Sequence, residues 1–392
     1  MKVSIITFAD LGARNNLKTT DIAPVIASLE KNGMISQIVC RLALRNKNPK
    51  IKPAVSMVIH YAIKVLEKII PGFPGRNIEE EYMDRAACRM LAPADIALVH
   101  PVFCPRTVAA AKLQGTATVG IAVVAHPALT RALLDQEYRL LNITPEPSQQ
   151  ESALSHNRPD VAAAFDYIIA VSEFVRQSYV QAGFPAENIF VAHNDIDAPR
   201  FAAANDGGIF RVVYVAHTNT LKGLHYLFDA WKQAKLPNAE LVIVGGYSFP
   251  VPRALRDQYE KTIAHDPTII WTGFTKTPEE YYRKASVFAF PSITEGNPRV
   301  VMEAMASGIP IITTEHAPSI VDDGVNGFIV PIRDSGAIAQ KLSELYHDRE
   351  RCKSMGNEAR KKIITKRSFG DEVVDIVRII NERVPRPSAY EK

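Results

Sequence analysis

Cysteine is scarce in this chain of 392 residues: only Cys40, Cys88, Cys104 and Cys352 occur, far apart and without C-x-x-C spacing. That excludes a disulfide framework and the common zinc motifs, and it fits a reducing cytosol. Long apolar runs are missing too. No stretch reaches the ~18 uncharged apolar residues that span a bilayer. Charge of one sign is not in excess, since the net charge is +4. With no zinc knuckle, RNA-binding sheet or basic arm, nucleic acid is not an expected partner. Glycine is sparse where a dinucleotide would need it. The loop expected after the first strand, Asp10-Leu11-Gly12-Ala13-Arg14, holds the single Gly12 rather than G-x-G-x-x-G, which argues against an NAD site. The opening MKVSIITFADLG has one lysine and a short apolar run, so a buried first strand is expected instead of a signal peptide. A cytoplasmic protein is the expectation.

Hydrophobic residues make up 47% and charged residues 22%, enough apolar surface for real cores. Near-continuous apolar strands are expected at 2–8, 37–40, 95–100, 118–126 and 166–172. A second series is expected at 210–217, 239–246, 268–274, 287–292 and 310–315. Helical patterns separate them, which predicts parallel sheets covered on both faces. Because the series occurs twice, the expected fold is α/β with two doubly wound, Rossmann-like domains, spanning 1–200 and 201–370. Their junction is expected near 199–208, and the cleft where they face each other is the default ligand site.

The segment 51–70, IKPAVSMVIHYAIKVLEKII, sets Val55, Val58, Ile59, Ala62, Leu66 and Ile69 at helical spacing, with His60, Lys64 and Lys68 between them. A core-facing helix with a solvated face is the expectation. The alternative is an interfacial helix in peripheral contact with anionic lipid, at the inner membrane face.

Chemistry concentrates in PSITEGNPRVVMEAMASGIPIITTE, residues 291–315. Asn297 is expected to cap a helix that has Pro298 in its first position, and Gly308 and Pro310 stop it. The helix start at Gly296–Arg299 is a ready anion site. Glu295 lies just outside that start, and Glu303 lies ~9 Å along the axis. This layout suits a diphosphate flanked by two hydroxyl-bearing sugars, because carboxylates accept hydrogen bonds from hydroxyls. An ordinary βαβ unit with a solvated and a paired glutamate is the plainer alternative. In a second stretch, 214–231, Lys222-Gly223 opens a helix with Leu224, Leu227, Phe228 and Trp231 on one side. Lys222 could neutralise a diphosphate, or be a surface lysine.

The pattern P-S-x-x-E-G-x-P-x-x-x-x-E-A-x-A-x-G-x-P, continued by VDDGVNGFIVP at 321–331, resembles the signature of retaining family-4 glycosyltransferases of the GT-B fold. The resemblance covers 118–392 well and 1–117 in outline. It implies that Glu295 contacts the donor sugar, Glu303 the ribose, and the backbone of Gly296, Asn297 and Pro298 the sugar and phosphate. Lys222 matches the phosphate-binding lysine, His126 the histidine near the donor sugar, and Gly12 the loop that approaches acceptor and donor. His217 stands where many relatives have arginine, which Arg299 could offset. Asp195 replaces a turn glycine, and Asp195-Ile196-Asp197 is not expected to hold a metal. The resemblance also implies a C-terminal helix within 371–392 that crosses back to the first domain.

The implied reaction is metal-independent sugar transfer from a nucleotide diphosphate donor, with no cofactor, to a glycan, lipid-linked or small-molecule acceptor. A non-catalytic nucleotide-sugar or glycan-binding protein stays open, as does an epimerase or hydrolase on the same fold.

Overall fold

A computed structural model describes residues 1–12, 22–44, 48–70, 75–102, 104–144, 162–201, 208–247 and 251–384. The chain divides into two compact units. The first takes 1–126, 155–195 and 367–392, and the second takes 127–154 and 196–366.

The first unit holds a parallel sheet of β1 (Val3–Gly12), β2 (Ile35–Leu44), β3 (Ile51–Pro53), β4 (Ile96–His100), β5 (Ala117–Ala122), β6 (Tyr167–Ala170) and β7 (Ile189–Val191). Their order across the sheet is β3-β2-β1-β4-β5-β6-β7. β4 and β5 are buried at every position, which is why their apolar residues run on rather than alternate, with His100 and Thr118 as buried polar exceptions. Pro53 ends the short β3, an edge strand, where its missing N–H costs no ladder bond.

The second unit repeats the plan with β8 (Phe210–Val215), β9 (Ala239–Val244), β10 (Ile269–Gly273), β11 (Val287–Phe290), β12 (Ile311–Thr314) and β13 (Gly327–Val330). The order is β10-β9-β8-β11-β12-β13, again parallel. The first-placed strand of each sheet is central and the chain winds outward on both sides of it. Both sheets are therefore doubly wound, Rossmann-like layers, as expected from the sequence. In the second, the winding reverses between β8 and β11. Ligands of such sheets bind at the carboxyl ends of the strands where the order reverses.

Two segments separated in sequence from their units complete the cores. The helix Phe369–Arg383 buries Phe369, Val373, Val377 and Ile380 in the first unit, with Val25, Ile26 and Leu29 of the helix Ala23–Lys31. Gly370 permits that approach, because a Cβ there would lie 2.2 Å from Pro24 O. The helix Pro127–Leu140 belongs to the second unit, where its fully buried Glu137 receives Arg333 Nε and, at 3.0 Å, the Tyr226 hydroxyl.

Several local expectations need correction. β1 runs on to Gly12, so Asp10–Gly12 is strand and not loop; Asp10 there accepts two bonds from Arg41 on β2. Ala13 and Arg14 lie outside the described residues. β5 ends at Ala122, which leaves His126 four residues beyond the strand. The short strands β3 and β7 carry too few residues for a period to show in sequence. In segment 51–70 only Met57–Ile69 is helix, and most of the stripe expected to face the core is exposed: Val58, Ala62, Leu66 and Ile69. Ile63 is the residue of that helix that is buried most fully, with Ile59 partly buried beside it.

Candidate active site

Two loops leave the carboxyl ends of β8 and β11, where the second sheet reverses its winding, and they are tied together by backbone. Ile293 N–H donates to Leu221 O at 2.7 Å, and Ser292 Oγ lies 2.9 Å from the same carbonyl. In the first loop Asn219 accepts from Leu221 N–H at 3.0 Å, closing a short 3-10 turn over Thr220–Lys222. Gly223 follows with φ +66°, and a Cβ there would lie 1.9 Å from Pro291 O. Only glycine allows this backbone angle and this closeness together. The turn thus delivers Lys222 to the second loop. Its ammonium pairs with Glu295 Oε1, and Ser292 Oγ lies 3.1 Å from the same oxygen. Lys222 Nζ also sits 5.8 Å from the centre of the Phe290 ring. Glu295 N–H donates to His316 O at 3.1 Å, and His316 Nδ1 lies 2.9 Å from Ile293 O, which holds the acid-bearing loop from its other side.

Four residues beyond Glu295 begins the helix Arg299–Ala306. Pro298, not Asn297, occupies the cap position, and no side chain caps the helix. Asn297 is buried instead: its Oδ1 accepts from Ser319 Oγ at 2.6 Å and its amide nitrogen approaches Met302 Sδ at 3.9 Å. Burial has recruited the amide into packing, so it is lost to capping. At the other end Gly308 takes φ +73°, the left-handed stop expected there.

Glu303 has its own surroundings. Burial pushes its carboxyl above the usual range, against the opposing effects of Arg299, a bond from Tyr282 and Arg200. The Tyr282 hydroxyl lies 3.2 Å from Glu303 Oε2, and Arg200 pairs with Glu279 at 2.7 Å. Tyr282 and Arg200 escaped the sequence reading, because neither carries a motif; Tyr282 comes from the helical turn between β10 and β11, and Arg200 from the short 3-10 turn that precedes β8. Ser292 lay inside the quoted motif with no role assigned.

The exposed His217 stacks on Phe274, with ring centres 5.9 Å apart and planes at 19°. Nearby, Trp271 Nε1 donates to Gly245 O at 2.7 Å, and Thr218 N–H to Gly246 O at 2.9 Å. The carboxyl ends of β8, β9 and β10 therefore carry a stitched, aromatic surface.

His126 and Gly12 belong to the first unit. His126 is buried, donates its N–H to Ser178 Oγ at 2.8 Å, and meets the Tyr179 ring edge-on at 5.1 Å. It lines a cavity of about 810 Å³ with Lys112, Phe165, Asp166 and Tyr179. Asp195 does not adopt a left-handed conformation; its carboxylate accepts from Phe369 N–H at 2.8 Å, at the start of the C-terminal helix.

Residues 209–348 match the family model for glycosyl transferases group 1. Among curated proteins, the chain is similar to the Salmonella typhimurium protein WcaL, named for a glycosyltransferase role in colanic acid biosynthesis. Identity is 31% over 231 residues, which is 54% of this chain and 56% of that protein. It is also similar to the capsular polysaccharide biosynthesis glycosyltransferase CapM of Staphylococcus aureus, at 28% identity over 53% of this chain and 58% of the relative. The chain thus spans a little over half the length of these relatives. Among solved structures, Anabaena HepE in complex with UDP matches 97% of this chain and 100% of its own, with a TM-score of 0.65 and 16% identity. Residues 209–348 therefore carry a group 1 glycosyl transferase domain, and the fold is that of the GT-B glycosyltransferases.

Proposed function

We infer that the protein transfers a sugar from a nucleoside diphosphate donor to a hydroxyl acceptor, with retention at the anomeric carbon. The observation that carries this reading is the Lys222–Glu295 pair at the reversal point of the second sheet, four residues before a helix start. Phosphate oxygens compete for the Lys222 ammonium. Once the ammonium turns to them, Glu295 is released to accept hydrogen bonds from sugar hydroxyls. The amino end of the Arg299–Ala306 helix, around Gly296–Arg299, adds positive potential for the diphosphate. Glu303 receives a ribose hydroxyl, and the stacked His217–Phe274 pair offers a flat face to a base. Gly12 and His126 serve the acceptor and the donor sugar.

The bond from the anomeric carbon to the diphosphate oxygen breaks and a bond to the acceptor oxygen forms on the same face. The acceptor proton leaves with the departing diphosphate. Lys222 and the helix end act mainly by stabilising the charge that develops on that leaving group. The similarity to polysaccharide-forming glycosyltransferases supports a glycan or lipid-linked glycan as acceptor, and UDP in the structural neighbour supports beginning with UDP-sugars.

The test is a panel of nucleotide-sugars, with bound and released nucleotide followed together and product anomers read by NMR. Lys222→Ala and Glu295→Ala are expected to lower transfer by about 100-fold or more. Glu303→Ala is expected to weaken nucleotide binding by about tenfold. Wild-type transfer in all three variants would sink the assignment. Binding without release indicates a non-catalytic protein, and release that never needs an acceptor indicates a hydrolase or epimerase.

A further inference from the structure

The helix Met57–Ile69 in the first unit has an apolar inner side and an apolar outer side, and among the described residues only the inner one is covered. Its inner side holds Ile59, partly buried against the core that includes Val55 and Met83, and Ile63, buried beside Gly75. The same side is pinned by His60 Nδ1, 2.6 Å from Glu79, which also receives Arg41 at 3.1 Å. The outer side presents Val58 at 78% exposure, Tyr61 at 61%, Val65 at 52% and Ile69 at 68%, with Ala62 and Leu66 also exposed.

These six residues fall at i, i+3, i+4, i+7, i+8 and i+11. At about 100° per residue they make one continuous apolar arc about 140° wide. Lys68 and then Lys64 border one edge of this arc by the same geometry. Exposed Lys50 and Lys52 lie just upstream, at and before the edge strand β3. Across the described residues 48–70 there are four lysines and one acid, Glu67, which pairs with Lys64 at 2.7 Å.

We propose that this outer face docks the protein on an anionic phospholipid surface. A helix of 13 residues is about 20 Å long, too short to cross a bilayer, and it is fixed on its inner side to a folded unit. It therefore lies in the interface, with Val58, Val65 and Ile69 among the acyl chains and the lysines at headgroup level. The charge selects the occupant. A second copy seated on this face would set Lys64 and Lys68 against their own counterparts, with Glu67 of each copy to offset them. Anionic headgroups have the complementary sign. The sequence expectation of a core-facing stripe fails here because Ile59 and Ile63 form the covered face and the longer apolar run faces out.

The proposal does not rest on sugar transfer, and its test does not use it. The full chain is sedimented with vesicles of phosphatidylcholine alone and of phosphatidylcholine with phosphatidylglycerol, at low and high salt. Circular dichroism and thermal melting serve as controls for folding. Binding at least tenfold stronger to the anionic vesicles is expected, weakened by salt. Lys64→Gln/Lys68→Gln should cost about fivefold per lysine removed. Val58→Ser/Val65→Ser/Ile69→Ser should cost at least about tenfold while leaving the melt unchanged, because all three positions are exposed. No binding to either vesicle overturns the proposal, as does equal binding to both or binding that neither variant weakens. Lipid-free self-association that the triple serine variant abolishes, without vesicle binding, overturns it in favour of a second copy.

Discussion

Glu303, proposed above as a ribose contact, shows at the level of one side chain how burying a carboxyl works against stability. Burial makes its folded carboxyl hold a proton to higher pH than the unfolded chain does. Between those two values the native state binds more protons, so stability falls as pH rises and the full cost stands above the folded value. Below the unfolded value the cost is absent. Glu303→Gln carries no such charge and keeps an acceptor for the Tyr282 hydroxyl. Its melting temperature is therefore expected to exceed wild type at pH 7–8, with the two converging near about pH 4. Equal or lower melting at pH 8 would count against the buried carboxylate. Calorimetry across pH decides the point, and nucleotide titration of the same variant reports what the charge does for binding. The glutamates themselves were legible in sequence through their spacing around a helix start. Lys222 meeting Glu295, 73 residues away, was not, because the pair depends on which strands become neighbours.

Two elements hold the site in place, and each has a residue on which it depends. Gly223 lets the turn after β8 lie against Pro291 O. Gly223→Ala adds strain at a positive φ and a clash with a backbone oxygen, so the second unit should lose about 3 kcal/mol or more. Denaturant unfolding measures this, and a loss under 1 kcal/mol would show that the two loops can separate freely. The helix Pro127–Leu140 is held by Glu137. Burial alone would raise that carboxyl, but bonds from His225 and Arg333 outweigh it and keep it below the usual range. Its contribution is therefore present above the ordinary glutamate value and fades as pH falls through the lowered one. Glu137→Ala leaves the Arg333, Tyr226 and His225 donors without their acceptor and should cost about 3–5 kcal/mol. Glu137→Gln should cost less, since it preserves an acceptor. The sequence implied a helical pattern between the strands expected at 118–126 and 166–172, yet could not show that a segment preceding residue 200 packs with the later unit.

In the whole molecule, each unit is assembled from pieces distant in sequence. Arg367–Lys392 returns to the first unit, and its helix buries Phe369, Val373, Val377 and Ile380 there. A chain ending at Lys366 would expose their partners Val25, Ile26 and Leu29. Limited proteolysis of that truncation should cut rapidly within 1–126 while 208–366 stays resistant. A first unit as resistant as in the full chain would show that the last helix is dispensable.

What the sequence by itself determined was local. Apolar strands alternating with helices implied two parallel sheets, because only strands covered on both faces can be apolar throughout. Gly308 marked a helix end, and the acids of 291–315 marked out a candidate site around a helix start. Tertiary structure alone decided the rest. It brought Lys222 to Glu295, drew Asn297 from capping into packing, moved Pro127–Leu140 to the later unit, and turned the longer apolar face of Met57–Ile69 outward. Each outcome turns on neighbours remote in sequence, and a helical period records that a face is apolar without recording what, if anything, covers it.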